Sequence, residues 1–163
     1  MNIRLLFGLS ILMSFVAFGL VTKLYIWPRL RTREREAALV PLVVPHAFRF
    51  IGLSFLVPGV VSASLPSAFA IPAAFGDLVA AILALAATMA LSRRWSSAIL
   101  LVWLFNVWGA ADLLLAYYQG LRIDLDARML GAAFFIPTAI VPPLLITHGA
   151  IFRLLLRPRP RRG

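Results

Sequence analysis

Polar side chains that could do chemistry interrupt otherwise apolar stretches of this chain: His46, Arg49, Asp77, Asn106, Asp112 and His148. A guanidinium keeps its charge and offers N–H donors in a fork that fits carboxylates. Histidine is the side chain that ordinarily gains or loses a proton in the physiological range. A charge at the centre of a bilayer costs roughly 3 kcal/mol on insertion scales. Arg49 therefore needs a carboxylate, and Asp77 and Asp112 are available.

The spacing adds detail. His46 and Arg49 stand about one helical turn apart in VPHAFRFIGLSFLVPGVV (44–61), so they share a helix face. In VWLFNVWGAADLLLAYY (102–118), Trp108 and Asp112 share a face, while Asn106 is turned from Asp112 by roughly 120°. A polar arc that wide belongs inside a bundle, as helix–helix contact or as a cavity with Trp108 on its wall. Gly76 precedes Asp77, and Gly109 to Ala111 precede Asp112, where small residues let helices approach closely.

At a rise of about 1.5 Å per residue, Arg49 and Asn106 fall near the centres of their helices, Asp77 and Asp112 roughly 5–7 Å to one side, and His46 and His148 roughly 6–8 Å to the other. Two layers are expected. Two histidines and two aspartates are zinc-type ligands, but all would have to lie within about 2 Å of one ion. The layers are roughly 12 Å apart, and the spacing matches no short metal motif, so no metal is assigned. Two histidines at matching depth could clamp a b-type haem with Arg49 at a propionate. Lone histidines in apolar helices more commonly bond to a neighbouring helix, and the cofactor is left open.

The chain has five apolar runs, at about 5–27, 39–61, 69–91, 97–118 and 129–156, and these residues sit in the last four. Each run is near or above the roughly 20 residues that cross a bilayer as a helix. The expected fold is an all-α integral membrane protein, one transmembrane domain of five helices, with a basic tail at 157–163. The first run follows a single arginine, as a signal peptide would. Its apolar core is too long and lacks a small-residue cleavage site, so a retained helix is expected. Asp126 is placed to cap the last helix. Pro41, Pro45 and Pro58 in the second run, and Pro137, Pro142 and Pro143 in the fifth, predict bends and freed carbonyls that need donors such as Thr138 or Thr147.

Composition agrees. Of 163 residues, 62% are hydrophobic and 13% charged, and mean hydropathy is +0.94. A soluble domain carries about twice that charged fraction. The absence of cysteine removes disulfides, thiolate nucleophiles and iron–sulfur clusters. There is no phosphate-binding glycine loop, HExxH or GxSxG.

The net charge of +10 is read as membrane orientation rather than nucleic-acid binding, because the arginines flank the apolar runs. Lys23, Arg29, Arg31, Arg33, Arg35, Arg93, Arg94, Arg153, Arg157, Arg159, Arg161 and Arg162 fall on one side, and Arg4, Arg122 and Arg128 on the other. The positive-inside rule puts the N-terminus out and the C-terminus in, with anionic headgroups as partners of the basic face. A bacterial inner membrane is the expected location.

The sharpest functional reading is a binding site near the midplane, formed by Arg49, Asp77, Asn106 and Asp112, with His46, His148 and Trp108 beside it. It would serve proton-linked binding or transport of a small molecule or ion. Three alternatives stay open. One is an accessory subunit that meets a membrane partner or a second copy of itself. Another is a binder of, or enzyme for, a quinone- or isoprenoid-like lipid-phase molecule. The third is the haem protein.

Overall fold

The computed structural model describes residues 2–158. Of the basic tail expected at 157–163, residues 159–163 lie outside the described residues. The described chain is all-helical, and five helices are long and apolar enough to cross a membrane: α1 Ile3–Leu30, α2 Arg35–Leu56, α3 Ser67–Ser92, α4 Ala98–Arg122 and α5 Ile136–Leu155. They run alternately up and down. At one end, Arg4 pairs with Asp124 at 2.6 Å and the Phe7 ring meets Phe134 edge-on. At the other, Arg157 donates to the Arg31 carbonyl at 2.7 Å, Arg153 lies over the Trp27 ring, and Arg35 donates to the Arg157 carbonyl.

α1 is peripheral. Nothing buried occurs in it before Leu30. α3 packs between α2 and α4. Its buried face is almost entirely alanine, with Gly76 and Asp77 in the middle of the row, and such small side chains allow close helix approach.

Two helices differ from expectation. α2 ends at Leu56 rather than 61, because Pro58 holds Val57 extended (φ −91°, ψ 116°) and Gly59 follows at φ +84°. The fifth helix does not begin at 129. A separate 3₁₀ segment, Ala127–Phe134, starts at the Asp126 cap and breaks at Gly131 (φ 52°, ψ −129°). The Val60 carbonyl lies where a Cβ of residue 131 would stand. The Ala132 N–H bonds to that carbonyl, and the Ser62 N–H to the Met129 carbonyl, each at 2.9 Å. The α2–α3 connection is thereby fastened to the segment before α5.

Two irregular turns bear on the interior. α2 is α-helical over Arg35–Val43 and 3₁₀ over Val44–Leu56. Pro45, second in the 3₁₀ stretch, has no N–H for the carbonyl four residues back. A 3₁₀ helix has 3.0 residues per turn, so residues three apart eclipse. The buried residues of the stretch are His46, Arg49, Gly52 and Phe55, one straight column. α5 opens with a π-turn over Ile136–Ile140, in which the Val141 N–H bonds to the Ile136 carbonyl. The Pro137 carbonyl loses that N–H and takes the Tyr117 hydroxyl at 2.7 Å. Thr138 donates to Phe134 O and Thr147 to Leu144 O, neither of them the carbonyl four residues before a proline, so the expected rescue of the freed carbonyls falls to other donors such as Tyr117.

The buried apolar side chains form two clusters rather than one. Leu39, Leu42, Ala87, Val102, Phe105 and Ile151 belong to the cluster toward the arginine-rich end. Phe55, Phe69, Leu113, Leu130 and Leu144 belong to the other. Apart from Thr138, the buried polar residues lie along the helices between them.

Candidate functional site

Arg49 stands at the junction of α2, α3 and α4, with its side chain 1% exposed. Each nitrogen of its fork has an acceptor. Nε donates to Asp77 Oδ1 on α3 at 2.7 Å, Nη2 to Asp112 Oδ2 on α4 at 2.5 Å, and Nη1 to the Gly109 carbonyl at 3.0 Å. The pairing expected from the cost of a buried charge is present, with both carboxylates engaged.

Glycines make room for the cluster. A Cβ on Gly52 would collide with the Asp77 carboxylate, and one on Gly76 with that of Asp112. A Cβ on Gly109 would stand 2.7 Å from His148 Cε1 and 2.8 Å from Arg49 Nη1. Each polar side chain therefore lies against bare backbone of the next helix. Spacing reasoning missed the part played by Gly52. The signal was the three-residue spacing of His46-x-x-Arg49-x-x-Gly52-x-x-Phe55, legible only with a 3₁₀ period in mind.

Asn106 and the histidines form an adjoining network. The Asn106 amide Nδ2 donates to the His148 carbonyl at 3.3 Å, and its Oδ1 faces His148 Nδ1 at 2.7 Å. An amide oxygen only accepts, so His148 Nδ1 carries the proton and Nε2 a lone pair. Thr147 gives its hydroxyl hydrogen to Leu144 O and stands 2.9 Å from His46 Nε2. His46 Nε2 is therefore the donor and Nδ1 holds the lone pair. Both lone-pair nitrogens are buried without a protein partner among the described residues.

The two layers are closer than uniform helix rise predicts. The space over Gly109 is bordered by both Arg49 and His148, so the histidine network touches the ion cluster. The His46 and His148 ring centroids are 4.2 Å apart. Rings in contact leave no space for a macrocycle between them, so the bis-histidine haem alternative is withdrawn. Among the described residues, no group of three or more His, Cys, Asp or Glu is placed to hold a metal ion. Trp108 is outside the cluster. It is half-exposed, and its indole N–H reaches the Gly76 carbonyl at 3.3 Å.

On its other side the ion cluster meets a cavity of about 570 Å³. Phe7, Ile11 and Phe15 of α1 form one wall, Phe55, Phe69 and Leu113 line the interior, and Tyr117 and Pro137 stand near the π-turn. Its charged lining residues are Asp77 and Asp112, from the cluster, and Arg4 and Asp124, at the end of the bundle. The volume is that of an ordinary small-molecule site, and the lining has the usual mixture of many apolar and few polar groups.

Residues 6–156 match the model of a family described as a domain of unknown function, DUF8737. The chain belongs to that family. The matched stretch holds all five apolar helices but the first turn of α1, and every member of the ion cluster and histidine network; Arg4 precedes it. Neither the curated proteins nor the solved structures include a match to this DUF8737 chain.

Proposed function

We propose that the protein is a five-span integral membrane protein of a bacterial-type inner membrane. Its N-terminus is outside and its C-terminus inside. It binds a small molecule, with linked proton uptake, at the Arg49–Asp77–Asp112 cluster. The insertion rests on the five apolar helices and on the exposed apolar side chains of α1, among them Leu5, Leu9, Leu12 and Val16. The orientation rests on the arginine asymmetry between the two ends of the bundle.

One observation carries the binding reading: the cavity reaches both carboxylates of a buried ion cluster. One guanidinium against two carboxylates leaves an excess negative charge in a low-dielectric interior, where an unpaired ion is costly. A proton or a bound cation relieves it. The proton-linked groups are thus Asp77 and Asp112 rather than the histidines, whose free nitrogens face no acceptor. The apolar lining of the cavity supports reading the lipid-phase ligand and the ion-cluster ligand as one molecule.

Two measurements test this. Infrared titration of protein in lipid nanodiscs should show a protonated carboxyl band that Asp112→Asn or Asp77→Asn removes. Mass spectrometry should find a small molecule retained by wild type and depleted in Ala116→Phe, which narrows the cavity. A pH-invariant spectrum with nothing retained would defeat the reading.

A further inference from the structure

We propose that the cavity's ligand is a lipophilic amine in its ammonium form, whose N–H groups reach the free oxygens of Asp77 and Asp112 while its apolar body fills the space beneath α1. This rests on the reading of the cavity as a binding site and names the ligand class.

The carboxylates lead to this class. Arg49 engages Asp77 through Oδ1 and Asp112 through Oδ2. Among the described residues no hydrogen bond reaches the other oxygen of either one. The Asp77 side chain is only 10% exposed, yet it lines the cavity. The inner end of the site therefore offers acceptors and an excess negative charge, with Arg49 already committed to its own partners. An anionic head would meet two carboxylates. A neutral head would leave the excess charge in place. A quaternary ammonium has charge but no N–H for the free oxygens. A primary or secondary ammonium supplies both, and charge-assisted hydrogen bonds are about twice as strong as neutral ones.

The body follows from the walls. Phe7, Phe15, Phe55, Phe69 and Leu113 present hydrocarbon and aromatic surface, which rejects a polar amine such as a sugar amine or polyamine. Besides the two carboxylates, the charged and titratable groups around the head are few. Arg49 and His46 come from α2, His148 from α5, and Tyr117 from α4; Arg4 and Asp124 stand at the far end of the cavity. Without ligand, a proton shared by the carboxylates answers the excess charge. Entry of the ammonium ion displaces it, so one positive charge replaces another and one proton is released.

The test is calorimetry on the full chain in nanodiscs with three probes of one apolar shape: 1-adamantylamine, 1-adamantanol and N,N,N-trimethyl-1-adamantylammonium. Empty nanodiscs serve as the blank. The amine should bind at least about tenfold more tightly than the alcohol, a factor equal to about 1.4 kcal/mol, and the quaternary ion should fall between them. Amine binding should release a proton, seen as a heat that changes with the buffer's ionisation enthalpy. Asp112→Asn should abolish the preference. Ala116→Phe, which leaves the ion cluster intact and narrows the cavity, should weaken binding of all three alike. If the alcohol binds as well as the amine, the ammonium inference is overturned and the cavity remains a binding site. If none binds, both are overturned.

Discussion

Gly52 of α2 lies so close to Asp77 of α3 that a Cβ there would overlap the carboxylate. The contact is possible because the 3₁₀ turn puts Gly52 in line with Arg49, and the missing side chain lets Asp77 reach the guanidinium. Close approach and charge pairing are thus one feature.

Gly52→Ala should therefore lower stability by about 1–3 kcal/mol, the usual range for overpacking a filled interior. The Asp77 carbons that a Cβ would strike are not the loose end of a flexible chain. Gly149 offers the control, because a Cβ there meets nothing within 4 Å, and alanine is favoured in a helix by about 1 kcal/mol. Thermal melts in one detergent should show Gly52→Ala lowered and Gly149→Ala unchanged or raised. Equal melting of the two would refute the tight contact.

The histidine network makes a spectroscopic prediction. The chain has two histidines, and the hydrogen bonds assign opposite tautomers: Nδ1–H for His148 and Nε2–H for His46. Nitrogen-15 spectra of histidine-labelled protein should contain one ring of each kind. In Asn106→Leu the His148 signal should shift and stability should drop by about 1–3 kcal/mol as a buried donor loses its acceptor. Two rings of the same tautomer would contradict the assignment.

Much of this was legible beforehand, for a simple reason. The cost of a charge in hydrocarbon is large enough to force pairing, so Arg49, Asp77 and Asp112 could be linked without coordinates. The five helices followed from apolar length. Depth was the weak step, since it assumed one helical rise throughout. A 3₁₀ helix rises about 2.0 Å per residue, and α2 ends at Leu56. The first lengthens the step from His46 to Arg49, and the second moves the centre of α2 from near Arg49 to near His46. The Pro58–Gly59 stop and the Gly131 break were written in turn residues, but apolar neighbours masked them. The cavity was not legible at all, because it depends on how α1 leans on the bundle.

Membrane topology can be checked directly, since the chain has no cysteine. Ala63→Cys and Ser96→Cys place single exposed thiols on opposite ends of the bundle. A membrane-impermeant maleimide added to intact spheroplasts should label residue 63 and reach residue 96 only after lysis. The reverse pattern would invert the orientation, and labelling of both would argue against a five-span insertion.

The most direct measurement is equilibrium unfolding of Arg49→Leu beside a triple variant that also carries Asp77→Asn and Asp112→Asn. Removing one member of a buried ion cluster typically costs about 3–5 kcal/mol, because the partners keep uncompensated charge. The single variant should lose that much, and the triple variant should regain most of it. If Arg49→Leu unfolds like wild type, or if neutralising both aspartates restores nothing, the guanidinium is not held by these carboxylates and the central claim fails.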